Sequence, residues 1–238
     1  MTRCAPKFGT IHKFSRGAAN GPRCDLLLST DDGAKARILR KARSQYARGE
    51  VLIRVVPNRG RDIGALLSAF GEDIVARYDI VGHVHGKRSL HATNSSDPYF
   101  GERWREFLWQ NLLGDLHPMM DIVIARLTAD DKLGIVFAHD PHLLDWDSNQ
   151  EIAEGLAARM GMKEPLPPFF DFPVGTMFWA RTAALKPLFN LKLGWSDYPE
   201  EPLPNDGTIL HALERLLPFV AQHAGYRLAV THVPGVTW

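Results

Sequence analysis

Residues 51–67, VLIRVVPNRGRDIGALL, constrain the fold more than any other stretch of this chain. Five of the first six residues are apolar and mostly β-branched, which predicts a strand buried on both faces. Pro57 stops the run, and a loop follows with Asn58, Arg59, Gly60, Arg61 and Asp62. Asp62 stands at the expected N-cap of a helix whose apolar face is Ile63, Leu66, Leu67 and Phe70. A buried strand that delivers two arginines, an amide and a carboxylate to its C-terminal end matches the place where open α/β sheets bind ligands. The plainer reading is a strand-to-helix turn with a charged surface, in which Asp62 stays as a cap worth roughly 0.5–2 kcal/mol.

The elements on either side repeat this pattern. DLLLST (25–30) predicts a short buried strand. Asp31-Asp32-Gly33 then leads into a helix with Ile38, Leu39, Ala42 and Tyr46 on one face, and YDIVGHVH (78–85) predicts a third strand. Strands and helices alternating through short loops imply parallel pairing with right-handed crossovers. Further on, helices are expected over 102–116, 121–127 and 152–160, and strands over 133–137 and 172–180, the last interrupted by Gly175. Asp206 is placed to cap a long helix with Leu210, Leu213, Leu217 and Val220 on its apolar face, ending near Gly225. The expected architecture is a three-layer α/β/α sandwich with a mainly parallel sheet. Residues 1–24 read as an irregular segment and 25–238 as one domain, since no Ser/Gly-rich linker divides them.

Composition narrows the function. No apolar run is long enough to span a bilayer, and the first residues lack the apolar core of a secretory signal. Cys4 and Cys24 are the only cysteines, so a reduced, cytoplasmic setting is expected. The net charge of +1 hides an asymmetry: residues 1–88 hold 17 Lys/Arg against 8 Asp/Glu, and the rest hold 11 against 19. A basic first half suits a phosphate-bearing ligand or peripheral contact with an anionic membrane. Nucleic acid is not expected as a partner, because no nucleic-acid-binding pattern accompanies the charge. Walker A, GxSxG and HExxH motifs are absent.

Five segments, DLLLSTDD, VPNRGRDIGALL, YDIVGHVHGKRSLH, FPVGTMFWAR and EEPLPNDGTILHALERLL, together resemble the rhamnan synthesis protein F family of bacterial polysaccharide-assembly proteins. The likeness runs from Asp25 to about Tyr226. In outline the chain is also similar to GT-A nucleotide-sugar transferases. The resemblance implies a glycosyltransferase that uses a nucleoside-diphosphate sugar, with a glycan or lipid-linked glycan as acceptor. It also implies a role for Asp31 near the nucleotide, places the GTMFWAR segment beside the acceptor, and makes Asp206 or Glu201 the catalytic base. Two departures stand out. Residues 1–24 are too short and irregular to supply the strand and helix that such proteins carry first, so a truncated, non-catalytic homologue is the alternative. His83-Val84-His85, followed by Lys87-Arg88, replaces the usual Asp-x-Asp metal motif.

The residues themselves leave several roles open. Alternation puts His83 and His85 on one face of their strand, suited to contacting a diphosphate, to binding a divalent cation, or to a structural role. Lys87 and Arg88 favour phosphate, since adjacent cations repel a metal, so no metal cofactor is expected. Asn58, Arg59, Arg61 and Asp62 are candidates for holding sugar and phosphate. Thr176, Trp179 and Arg181 offer an aromatic face and a cation to an acceptor sugar, or else form a buried strand with Trp179 in the core. Glu214 and Arg215 read as a structural or surface pair, and His139-Asp140-Pro141-His142 as a weak metal or hydrolase pattern. The expected activity is inverting transfer of a deoxyhexose such as rhamnose to a growing cell-surface polysaccharide.

Overall fold

In the computed structural model of the chain, which describes residues 23–86, 99–142 and 145–238, the first two apolar runs become β1 (Leu26–Thr30) and β2 (Val51–Val55). They pair in parallel, Leu26 opposite Val51 and Thr30 opposite Val55. Between them runs α1 (Gly33–Ala42). Asp32 caps it, its carboxylate accepting from the Ala34 N–H at 2.6 Å and the Lys35 N–H at 3.4 Å. Two details depart from expectation. Ile38 is 63% exposed while Leu39 is buried, and Tyr46 lies beyond the helix, its hydroxyl donating to the Cys24 carbonyl at 2.7 Å. β2 is half-buried rather than fully buried.

After β2 the chain forms α2 (Arg61–Gly64), a wide π-helical turn (Ala65–Ala69) and α3 (Gly71–Arg77), then β3 (Ile80–His83). The helices α4 (Phe100–Leu112) and α5 (Met119–Ala129) lead to β4 (Leu133–Ala138), and α6 (Gln150–Arg159) precedes β5 (Phe178–Arg181). A short α7 (Lys186–Phe189), the long α8 (Ile209–His223) and β6 (Arg227–Thr231) complete the order.

Among the described residues the strands fall into two small sheets, β1-β2 and β3-β5-β4-β6. β5 runs antiparallel to both neighbours and β4 pairs parallel with β6. The expectation of one mainly parallel sheet is therefore corrected: among the described residues two strand pairings are parallel and two antiparallel. Strands buried on both faces are continuous apolar runs whose composition carries no direction, and the long connection from β4 to β5 permits either sense. β6 has no counterpart in the sequence reading, since RLAVT is a short, half-exposed edge strand without a strong apolar signal.

Alternate residues of β4 and β5 sort into two hydrophobic cores. Ile135, Phe137, Phe178 and Ala180 pack with Leu66, Ile74, Leu213 and Leu217; Val136 and Trp179 pack with Leu108, Leu112, Met120 and Val123. The architecture is mixed α/β. Its consequence for function is that α2 and α8 meet the ends of β3 and β5 at one place.

Candidate functional site

The NRGRDIG loop owes its shape to its glycines. Gly60 lies at φ 73° and Arg61 at φ 47°, both left-handed. A Cβ on Gly60 would lie 2.7 Å from the Tyr198 ring, and one on Gly64 would lie 3.0 Å from Trp195 and 3.1 Å from the Arg59 carbonyl. The two glycines therefore admit the 195–198 segment against the loop. Arg59 Nε clamps that segment by donating to the Tyr198 carbonyl at 2.5 Å. Ser68 Oγ donates to the Leu193 carbonyl at 2.6 Å, so the buried Tyr198 hydroxyl, 2.8 Å away, donates to Ser68. Burial holds the Tyr198 pKa above its ordinary value, against the pull of Ser68 and with help from Asp197. Asp62 is not the N-cap: Gly60 takes that position and Asp62 sits in the first turn of α2.

Across from this loop, Gly175 (φ 66°) and Thr176 (φ 55°) form a left-handed turn just before β5. Three side chains hold it. His83 Nδ1–H donates to the Thr176 carbonyl at 2.6 Å, and His85 Nε2–H donates to the Gly175 carbonyl at 2.7 Å. The Thr176 N–H donates to Glu214 Oε1 at 3.0 Å. A left-handed threonine costs on the order of 1–3 kcal/mol and persists only when its surroundings over-determine it, as they do here.

These segments enclose a cavity of about 700 Å³, within the range typical of small-molecule sites. Arg61 and Asp62 reach it from α2, His85 from the end of β3, and His211, Glu214 and Arg215 from α8. Arg61 lies 3.4 Å from His211 Nε2 and 3.7 Å from Glu201. His211 Nε2 accepts from the guanidinium, so its proton sits on Nδ1 and is donated to Thr208 Oγ1 at 2.9 Å. Glu214 keeps a little surface, on the cavity side. Burial pushes its carboxyl from the ordinary 4.5 up to about 7; Arg215 opposes the shift, Asp62 adds to it, and the Thr176 and Gly175 N–H groups oppose it. Arg215, buried, bonds the Asp145 carbonyl at 2.9 Å and the Asp147 carboxylate, and stacks over Phe172. Among the described residues no group of three or more His, Cys, Asp or Glu is placed to hold a metal ion.

Residues 17–226 match the rhamnan synthesis protein F family, which takes in all the segments that build the cavity up to Arg215. The chain belongs to that family. It is also similar to the uncharacterized protein WxcX of Xanthomonas campestris pv. campestris, in strains B100 and ATCC 33913, at 31% identity over 185 residues. Those residues are 76% of this chain and 25% of WxcX, so the chain spans about a quarter of the length of the curated relatives it matches. No solved structure matches the chain. Family membership puts the protein among those of polysaccharide synthesis.

Within this rhamnan synthesis protein F chain, Arg61, Asp62, His85, Thr176 and Asp206 all line the cavity, from four separate sequence segments. His83 is buried beside it, on the Thr176 carbonyl. Glu201 borders it through Arg61, and Arg59 is turned to Tyr198 and Glu200. Asn58 is exposed and outside it. Asp31 is also exposed, 3.7 Å from Lys35, and does not reach the cavity. Lys87 and Arg88 lie outside the described residues.

Two acceptor candidates are corrected. Trp179 is wholly buried, its indole N–H donating to the Leu112 carbonyl at 2.8 Å and its ring filling the space above Gly82. Arg181, at the far end of β5, binds carbonyls of Leu127, Asp130 and Leu133. Asp206 does not cap α8, where Thr208 holds the N-cap position; it accepts from the Ser148 N–H at 2.9 Å and Asn149 Nδ2 at 2.6 Å instead. Burial works to raise its pKa, but those bonds, the Gly207 N–H and Arg215 outweigh it and leave the carboxyl below its ordinary value.

Glu214, read from the sequence with Arg215 as a structural or surface pair, lines the cavity instead. A signal was present: position 214 is four residues after Leu210 and three before Leu217, inside the apolar stripe of α8. An acid there is drawn largely out of solvent.

Proposed function

We propose that this chain is a glycosyltransferase domain that moves a 6-deoxyhexose such as rhamnose from a nucleoside-diphosphate donor to a growing cell-surface polysaccharide. One observation carries the reading: Glu214, a carboxyl pushed up to about 7, stands in the wall of a cavity that Arg61 and Asp62 also line. A general base works best when its pKa lies near the operating pH. Glu214 takes the proton of the acceptor hydroxyl as that oxygen attacks the anomeric carbon, and the nucleoside diphosphate departs with the bonding pair. Arg61 stabilises the leaving diphosphate, with His85 nearby. Asp206 and Glu201 are the other candidate bases. The low pKa of Asp206 and the pairing of Glu201 with Arg61 suit orientation better. The apolar part of the wall, Ile63, Val174 and Leu210, suits the methyl group of a 6-deoxy sugar.

The GT-A-like three-layer arrangement belongs to the same reading. β1 and β3 share one core, and each has an edge without a strand partner among the described residues; a first strand between them would join the two sheets. No helix among the described residues is long and apolar enough to cross a membrane; action at the cytoplasmic face with peripheral attachment is part of the same proposal.

The test is transfer from dTDP-, UDP- or GDP-linked 6-deoxyhexose to a rhamnose oligosaccharide, read by mass spectrometry. Glu214→Gln should lower kcat by about 10²–10⁴-fold with donor affinity nearly unchanged. A non-catalytic homologue that binds sugar is the second reading, favoured because the arginines around the cavity are already engaged with Glu200, Glu201 and Asp147. Donor binding without transfer would establish it.

A further inference from the structure

Trp179 and Arg181 leave the acceptor without its expected platform, and the HDPH loop that sequence reading set aside supplies another. Asp140, 3% exposed, holds two rings in place. Its Oδ2 accepts from the Trp104 indole N–H at 3.2 Å, and its Oδ1 accepts from the backbone N–H and Nδ1–H of His142, each at 3.1 Å. Trp238 meets Phe100 at 4.9 Å, Trp104 at 6.4 Å and His142 at 4.8 Å between ring centroids, inclined by 81°, 74° and 64°. All four rings line the 700 Å³ cavity.

We propose that this aromatic corner, set by Asp140, is the acceptor-glycan subsite: Trp104 stacks on the apolar face of the acceptor sugar and presents its hydroxyl to Glu214. The position follows from the left-handed turn. A Cβ on Gly175 would lie 2.9 Å from the Trp104 ring, so Trp104 packs directly on Gly175. The next residue, Thr176, donates its N–H to Glu214. Ring and carboxylate thus contact adjacent residues of one turn, at the same wall of the cavity. The shape selects the ligand class. A nucleobase is planar and binds best in a parallel-sided slot, whereas rings meeting edge to face form a corner that fits the bulk and C–H faces of a sugar. Asp140 is a positioning residue, since it acts only through Trp104 and His142.

The inference rests on the cavity being a glycosyltransfer site, and the experiment separates the two. Binding of a rhamnose trisaccharide and of dTDP and UDP is measured by calorimetry on the intact chain, its Trp104→Ala and Trp104→Phe variants, and His142→Ala, which changes an exposed ring. Trp104→Ala should weaken trisaccharide binding about tenfold or more. Trp104→Phe should restore most of the affinity, and nucleotide affinity should stay within about twofold. Asp140→Asn should raise the KM for acceptor while kcat and the KM for donor hold, because an amide cannot accept from both Trp104 and His142. If Trp104→Ala does not fold, Trp104→Phe and His142→Ala decide by a graded loss of trisaccharide affinity alone. Unchanged trisaccharide binding in all variants, a parent that binds nucleotide but no trisaccharide, or a loss confined to dTDP and UDP would each overturn the proposal. Trp104-dependent trisaccharide binding without transfer from any donor would leave it standing and sink the glycosyltransferase reading instead.

Discussion

Replacing Glu214 by Gln should stabilise the protein at alkaline pH while removing its activity. The carboxyl ordinarily titrates at 4.5 and is raised to about 7 in the fold. Between those values the folded chain holds a proton that the unfolded chain has lost, so stability falls as pH rises through the window and levels off above it. Each pH unit is worth 1.36 kcal/mol, so the loss amounts to about 3 kcal/mol. Glutamine is always neutral, and its Oε1 still accepts from the Thr176 N–H. Parent and variant should thus have similar stability near pH 4, with the variant more stable by about 3 kcal/mol at pH 8. Urea denaturation followed by tryptophan fluorescence reads this directly. With slopes of about 1–3 kcal/mol/M, the midpoints should separate by roughly 1 M or more at pH 8. All other titrating groups are common to both proteins, so only the difference between the curves matters. Asp62 couples to Glu214 and will spread the transition. Parallel curves from pH 4 to 9 would refute the reasoning, since the carboxyl would then be solvated. A variant less stable at pH 8 would mean that Glu214 is held by a structural ion pair.

Gly60→Ala must adopt φ 73° and pushes a methyl to 2.7 Å from Tyr198; a stability loss of about 2 kcal/mol or more in urea is expected. Asp206→Asn should cost about 1–2 kcal/mol of stability by weakening its bonds to Ser148 and Asn149, yet lower kcat far less than Glu214→Gln; equal losses in kcat would make Asp206 the base. Asp32→Ala should cost about 1 kcal/mol as a lost cap without altering donor affinity, whereas a loss of donor affinity would restore the Asp31-Asp32 loop to the nucleotide site. If Arg61 takes the place of a metal at the diphosphate, as proposed, turnover should survive EDTA; abolition by EDTA and recovery with Mg²⁺ would contradict that.

The sequence alone determined several local elements and singled out five of the residues that line the cavity, Arg61, Asp62, His85, Thr176 and Asp206. Cap signals, apolar period and glycine-proline punctuation act within a few residues, so α1, α8, β1 and β4 could be placed from them, as could the NRGRDIG turn with Arg61 and Asp62. Only the tertiary structure decided strand direction, the fate of Trp179 and Arg181, and the chemistry of Glu214. A buried strand reads the same in either direction. Trp179 differs from a sugar platform only in which face of β5 it occupies, and that is fixed by Gly82 and Leu112, which lie roughly 70 to 100 residues away in sequence. The carboxyl of Glu214 is pushed up to about 7 chiefly by desolvation, with the Asp62 carboxylate adding to it, and desolvation is a property of what surrounds a residue, not of the residue itself.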